Sequence, residues 1–300
     1  MANLKEIRNR ISSVSSTMQI TSAMKMVSAA KLKKAQDAIT AMRPYADKLT
    51  ELLQNFSSNL DDDNGSVYTK NREVKNILIV AITSNRGLCG AFNSNIIKQA
   101  NELAKNYAKG NVSVMAIGKK ANDSLSKEFK IVSNESKIFD DLNFTNVTQI
   151  AQVLMNKFKD GSVDKIELVY NKFKNAATQI VTTEQFLPIG TSNDQINNNK
   201  DYIFEPSKVE IVKTLIPKSL KTQLFKAVRD SFASEHGARM TAMHKATDNA
   251  TELRDQLKLT YNKARQAAIT NEILEIVGGA EALNGSVSYT HLTLPTNPRV

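Results

Sequence analysis

The first sixty residues carry an apolar line in alternating steps of three and four: Leu4, Ile7, Ile11, Val14, Met18, and later Leu32, Ala35, Ile39, Met42, Ala46, Leu49, Leu53, Phe56 and Leu60. A mean step of 3.5 residues is the seam of a coiled coil, and no strand or loop keeps it for so long. Three positions of the same register, Thr21, Lys25 and Ser28, are polar. Beside them Met24, Met26, Val27, Ala29 and Ala30 spread apolar groups around the helix, so several partners are expected there. Pro44 lies within the pattern, and a kink is expected near Arg43. A helix over 3–58 would run about 84 Å.

The C-terminal third repeats the theme. Leu220, Leu224, Val228 and Phe232 form one apolar stripe; Leu253, Leu257, Tyr261, Ala264 and Ala268 form a second. Ile273, Ile276 and Val277 close the run before Gly278 and Gly279. No proline follows Pro217 until the last few residues. A helix of about 65 residues would reach roughly 100 Å. Neither long helix can cover its own stripe, so the two are predicted to pair antiparallel.

The middle has a different period. Asn76–Thr83 is a continuous apolar run of strand length, suited to a buried parallel strand. Helical spacing over 93–109, a strand over 112–117, a short helix over 119–129 and a helix over 147–158 follow. Lys165–Phe173 and Gln179–Leu187 alternate as strands and are expected to pair across 174–178. The fold class is therefore α/β: a long antiparallel coiled coil of N- and C-terminal helices plus a central α/β domain with a mainly parallel sheet. The predicted boundaries are 1–60 for the first helix, 67–190 for the domain and 207–284 for the second helix, with polar linkers at Asp61–Ser66 and Thr191–Lys200.

The formal net charge of +10 is uneven: +5 over residues 1–60, +1 over 61–206, +3 over 207–284, and one more at Arg299. Basic helical ends call for an acidic partner. Nucleic acid is disfavoured, because no zinc site, recognition-helix motif or aromatic stacking series accompanies the charge. One cysteine, Cys89, excludes an internal disulfide framework. The longest strongly apolar run, about Ile77–Ile82, falls far short of the roughly 20 residues needed to span a membrane.

Ser84–Asn93 (SNRGLCGAFN) follows a strand and opens a helix, where α/β folds place phosphate loops. Gly87-x-x-Gly90 has the spacing of neither GxGxxG nor GxxxxGK[ST], and Gly118-Lys119-Lys120 lacks the upstream glycine and the hydroxyl residue. A structural turn is the expectation. Cys89 has no histidine near it in sequence to act as base. His236 and His244 stand eight apart on one helix, too far for one metal, and are assigned to an interface or to solvent. No catalytic, cofactor-binding or metal residues are assigned.

Four separated segments together resemble the gamma subunits of F-type ATP synthases: Met26–Gln36 (MVSAAKLKKAQ), Ser84–Asn93, Ala233–Ala250 (ASEHGARMTAMHKATDNA) and Asn262–Leu283 (NKARQAAITNEILEIVGGAEAL). The resemblance covers residues 1–284, with Asn85 and Ala91 departing from the family's usual SDRGLCG-like wording. It implies a non-catalytic rotor shaft coupling ion flow through a membrane rotor to ATP synthesis or hydrolysis. The implied partners are the alpha and beta subunits, the epsilon subunit and the membrane c-ring, without nucleic acid or direct membrane insertion. The implied place is the cytoplasmic side of the bacterial inner membrane, as a peripheral protein. By position, Met24, Lys25 and Arg239 resemble the zone facing acidic beta-subunit loops. Arg265, Gln266 and Thr270 resemble a polar patch engaging beta subunits higher up, and Ile273, Ile276 and Val277 an apolar tip turning in a sleeve. Gly285–Val300 (GSVSYTHLTLPTNPRV) matches nothing in the family. It reads as a non-native extension of the vector or adapter kind and is expected to be disordered.

Overall fold

The computed structural model describes residues 4–57, 67–69, 72–107, 110–189 and 208–285. The linkers at 61–66 and 191–200, and residues 286–300 of the C-terminal extension, lie outside the described residues. Helix α1 (Leu4–Ser57) opens the chain and helix α5 (Lys208–Gly285) closes it. Between them run β1 (Asn76–Ile82), α2 (Phe92–Asn106), β2 (Asn111–Ile117), α3 (Lys119–Leu125), β3 (Lys130–Asn134), a 3-10 turn (Ser136–Phe139), α4 (Phe144–Lys159), β4 (Lys165–Phe173) and β5 (Gln179–Leu187). Contacts divide the chain through both long helices: one unit is Thr21–Lys245, the other Met1–Ile20 with Ala246–Val300.

The Thr21–Lys245 unit holds a five-stranded sheet in the order β3-β2-β1-β4-β5. β1 runs parallel to β2 and β4, β2 parallel to β3, and β4 antiparallel to β5. Strand period two splits the apolar run of β1 between both faces. Leu78, Val80 and Ile82 pack with Leu154 and Phe158 of α4 and with Leu224 and Val228 of α5. Ile77, Ile79 and Ala81 pack with Ile96 and Ala100 of α2 and Leu125 of α3. The result is a three-layer sandwich, each large side chain contributing about 1.5–3 kcal/mol of burial.

Two points depart from the sequence reading. β4 does not alternate: lying between β1 and β5, it is buried on both faces from Ile166 to Asn171. β3 and the 3-10 turn were not foreseen, because KIVSN is short and mixed in polarity. α1 runs through Pro44 as one helix.

Within this unit the long helices meet antiparallel. Leu32, Ala35 and Ile39 of α1 share a cluster with Ala233 of α5 and Phe173 of β4, joined by Phe232 and Met240. The predicted seam stays the covered line where it turns polar: Thr21 and Ser28 are buried, and the Ser28 hydroxyl donates back to Met24 O at 2.8 Å. Gly237 lets α5 cross the β4–β5 hairpin, since a Cβ there would stand 3.1 Å from Ala176 O.

In the other unit the same direction holds. Arg8 Nη2 donates to Tyr261 OH at 2.8 Å, and Thr251 Oγ1 and Arg254 Nη1 reach Met18 Sδ at 3.3 and 3.5 Å. Leu4, Ile7, Ile11, Val14 and Met18 are covered, as the heptad line requires. On α5 the covered line is Ala250, Arg254, Leu257, Tyr261 and Ala264. Leu253, expected in that stripe, lies one position off it and is exposed; Ala268 lies beyond the last covered residue.

Candidate partner-contact surface

The turn after β1 is built by its own side chains. Ser84 N–H donates to Asn93 Oδ1 (3.0 Å), the Ser84 hydroxyl donates to Arg86 O (2.6 Å), and Asn93 Nδ2 donates back to Ser84 Oγ (2.8 Å). Asn93 Nδ2 also stands 3.1 Å from Cys89 Sγ. Cys89 is buried, and that burial pushes its thiol up from the ordinary range, away from the nucleophilic thiolate. Leu88 (φ 62) and Gly90 (φ 59) take left-handed backbone. For a leucine that conformation costs free energy, and here it turns the side chain outward, 64% exposed.

Arg239 of α5 fixes the turn. Its Nη2 donates to Arg86 O and Gly87 O, both at 3.2 Å, and its Nη1 to Glu235 Oε1 at 2.6 Å. Arg239 is 8% exposed, with Nη2 on the turn and Nη1 on Glu235, and Leu88, which sequence reasoning missed, stands outward beside it. A bulky residue between two glycines was the signal available.

The first N–H groups of α3 are also satisfied internally. Lys119 N donates to Asn85 Oδ1 (3.0 Å), Lys120 N to Ser84 O (3.2 Å) and Ala121 N to Thr83 Oγ1 (2.8 Å). Gly118, at φ 114, brings the end of β2 so close to β1 that a Cβ would lie 2.2 Å from Thr83 O. The three N–H groups that follow Gly118 are thus bonded within the chain.

Met24 and Lys25 are half-buried on α1, while Met26 and Val27 beside them are exposed. Arg265, Gln266 and Thr270 are exposed, as is every residue of α5 from 265 to 283. That stretch includes Ile269, Ile273, Leu274, Ile276, Val277 and Leu283, between 48% and 74% exposed. His236 departs from its assignment to interface or solvent. It is buried edge-on against Phe232 at 4.5 Å, and burial, with Arg239 and Lys31 nearby, lowers its pKa to about 4. Among the described residues no three His, Cys, Asp or Glu are placed to hold a metal.

Residues 3–283 match the protein-family model described as ATP synthase. The chain is 74% identical over 286 residues to the ATP synthase gamma chain of Flavobacterium psychrophilum, covering 95% of this chain and 100% of that protein. It is 54% identical over 294 residues to that of Cytophaga hutchinsonii, with the same coverage. Among solved structures it resembles a chain of the central stalk and c-ring of Tetrahymena thermophila mitochondrial ATP synthase, at 25% identity and a TM-score of 0.57, covering 76% of this chain and 99% of that one. A chain of Euglena gracilis mitochondrial ATP synthase shares the fold at 22% identity and a TM-score of 0.72, covering 98% and 99%.

Proposed function

The chain belongs to the ATP synthase gamma family, and from that premise we propose that it is the central rotor shaft of a bacterial F-type ATP synthase. It couples ion flow through the membrane rotor to ATP synthesis or hydrolysis in the alpha/beta ring. The chain supplies torque, and the nucleotide chemistry belongs to other subunits. Its partners are the alpha and beta subunits, the epsilon subunit and the c-ring. It acts at the cytoplasmic face of the inner membrane as a peripheral protein; no helix among the described residues is long and apolar enough to cross a membrane.

The observation that carries this reading is the end of α5. Nineteen consecutive residues from Arg265 to Leu283 are exposed, and six of them are large and apolar. A lone helix of that length is marginal in water and exposes a face that a soluble chain hides. A close-fitting sleeve formed by other subunits accounts for it. Two helices wound together also resist twisting better than one.

Contacts with the moving ring must be individually weak, because a tight desolvated pair would trap one orientation. Met24 and Lys25, with exposed Met26, Val27 and Leu88, form the lower contact zone in this reading, and Arg239 positions Leu88 behind it. Arg265, Gln266 and Thr270 form the polar contact, and Ile273, Ile276 and Val277 the bearing. The test is Arg265→Ala in the assembled complex. Coupling and torque fall while nucleotide binding to isolated beta subunits stays the same. Unchanged ATP-driven rotation under load would overturn the assignment.

A further inference from the structure

A second feature has no part in the rotor reading. A cleft of about 370 Å³ opens in the Thr21–Lys245 unit, lined by Arg43, Lys172, Phe173, Lys174, Ile180 and Lys226. Its four charged side chains are all cations, and they come from separate places: α1, the β4–β5 hairpin and α5. We propose that this cleft is a binding site for a phosphate-chain anion, gripped by Arg43, Lys172 and Lys174.

The geometry is prepared on the protein side. Arg43 Nη2 donates to Phe173 O at 3.3 Å and stands 3.8 Å from Asp230 Oδ1, which orients the guanidinium at the cleft wall. Asp230 itself is 1% exposed and does not line the cleft, although its charge also draws Lys226 and Lys172 from behind the wall. Among the described residues Glu184 also acts on Asp230, and it is engaged by the Tyr170 hydroxyl (2.9 Å) and by Gln223 Nε2 (2.9 Å). Phe173 and Ile180 supply the apolar part of the lining, Phe173 buried and Ile180 exposed.

The ligand class follows from the lining. Lysine and arginine side chains are donors only, and phenylalanine and isoleucine offer neither donor nor acceptor. An extended acidic peptide would find no side-chain acceptor there for its backbone N–H groups. A phosphate chain needs none, every phosphate in it carries negative charge, and the arginine fork fits its oxygens. Other basic groups, such as Lys31, Lys33 and Lys34, stand along one helix and do not converge.

The experiment titrates the full 300-residue chain with inorganic pyrophosphate by calorimetry, in phosphate-free buffer at about 0.15 M salt. The expected result is saturable binding at one site, weakened about tenfold or more in Lys172→Gln/Lys174→Gln. The charge-matched control Lys33→Gln/Lys34→Gln should stay within about twofold of the parent. Circular dichroism verifies that both variants keep the helix content of the parent. ATP and AMP form the second arm. ATP binding at least as tightly as pyrophosphate, with AMP far weaker, places recognition in the phosphate chain of a nucleotide; pyrophosphate binding tighter than ATP points to free polyphosphate. Non-saturable binding, equal loss in the control, or binding of an acidic peptide but not of pyrophosphate would each overturn the proposal.

Discussion

Arg239 Nη1 lies 2.6 Å from Glu235 Oε1, one turn back along α5, and both side chains are about nine-tenths buried. The pair is a strut rather than a surface bridge: the other arm of the guanidinium holds two carbonyls of the Ser84–Asn93 turn. Burial pushes the Glu235 carboxyl up and the Arg239 charge opposes that push. Arg239→Met therefore leaves a buried carboxylate without its cation, at a cost of about 3 kcal/mol in denaturant unfolding. Cys89, the sole cysteine, lies buried in the same turn and reports on it. Its reaction with a maleimide should speed up in the variant under native conditions, whereas an unchanged labelling rate would mean the strut does not hold the turn.

Among the described glycines, Gly118 leaves the least room for a side chain. At φ 114, with Thr83 O only 2.2 Å from the place of a Cβ, alanine meets both backbone strain and a clash with main chain. Gly118→Ala is expected to lose at least about 3 kcal/mol. Thr83→Ala, which removes only the acceptor for Ala121 N, should lose about 1 kcal/mol. Chemical denaturation of the two variants side by side checks the ranking; equal losses would contradict it.

Asp230 gives the unit a pH dependence of definite sign. Burial raises its pKa from 3.8 to about 6, against the pull of Arg43, Lys226 and Lys172 and with a smaller push from Glu184. Its folded value thus exceeds its unfolded one, so between about pH 4 and 6 the folded state binds more proton and stability falls as pH rises. The contribution is full below about pH 4 and gone above about pH 6, and amounts to about 3 kcal/mol. Asp230→Asn should remove that slope. The difference in unfolding free energy between parent and variant, measured from pH 4 to 7, isolates it from all other carboxylates, and a flat difference would refute it.

Much of this architecture is written in periodicity. The 3.5-residue line from Leu4 to Leu49 marks the covered face of α1 even where Thr21 and Ser28 replace apolar residues, because register rather than hydrophobicity at one position decides what faces the partner helix. The strand at 76–82 was legible from its unbroken apolar run, and the β4–β5 hairpin from its spacing. Burial at a given residue was less legible. β4 looked one-sided until the sheet order placed it between two neighbours. Leu253 fits an apolar stripe by type yet misses the seam by one residue. Arg239 carries a charge that suits an outer surface, but carbonyls of a turn 152 and 153 positions earlier in sequence draw it inward, a pairing no local pattern reveals.

The end of α5 offers the clearest separation of folding from assembly. Ile273 and Ile276 touch no core of the described chain, so Ile273→Asp and Ile276→Asp should leave the unfolding free energy of the isolated protein within about 0.5 kcal/mol of the parent. In the complex, where the proposed sleeve must desolvate the new carboxylate, each change should cost several kcal/mol of association. Gly278 and Gly279 complete the case. A Cβ at either would meet nothing within 4 Å, so alanine at both should raise helix stability by about 1 kcal/mol each. If the sleeve approaches the helix backbone there, the same alanines should weaken assembly while stabilising the free chain. Co-purification with alpha and beta subunits, run beside circular dichroism of the isolated variants, reads both effects. Aspartate variants that assemble as well as the parent would show that this stretch is not a bearing.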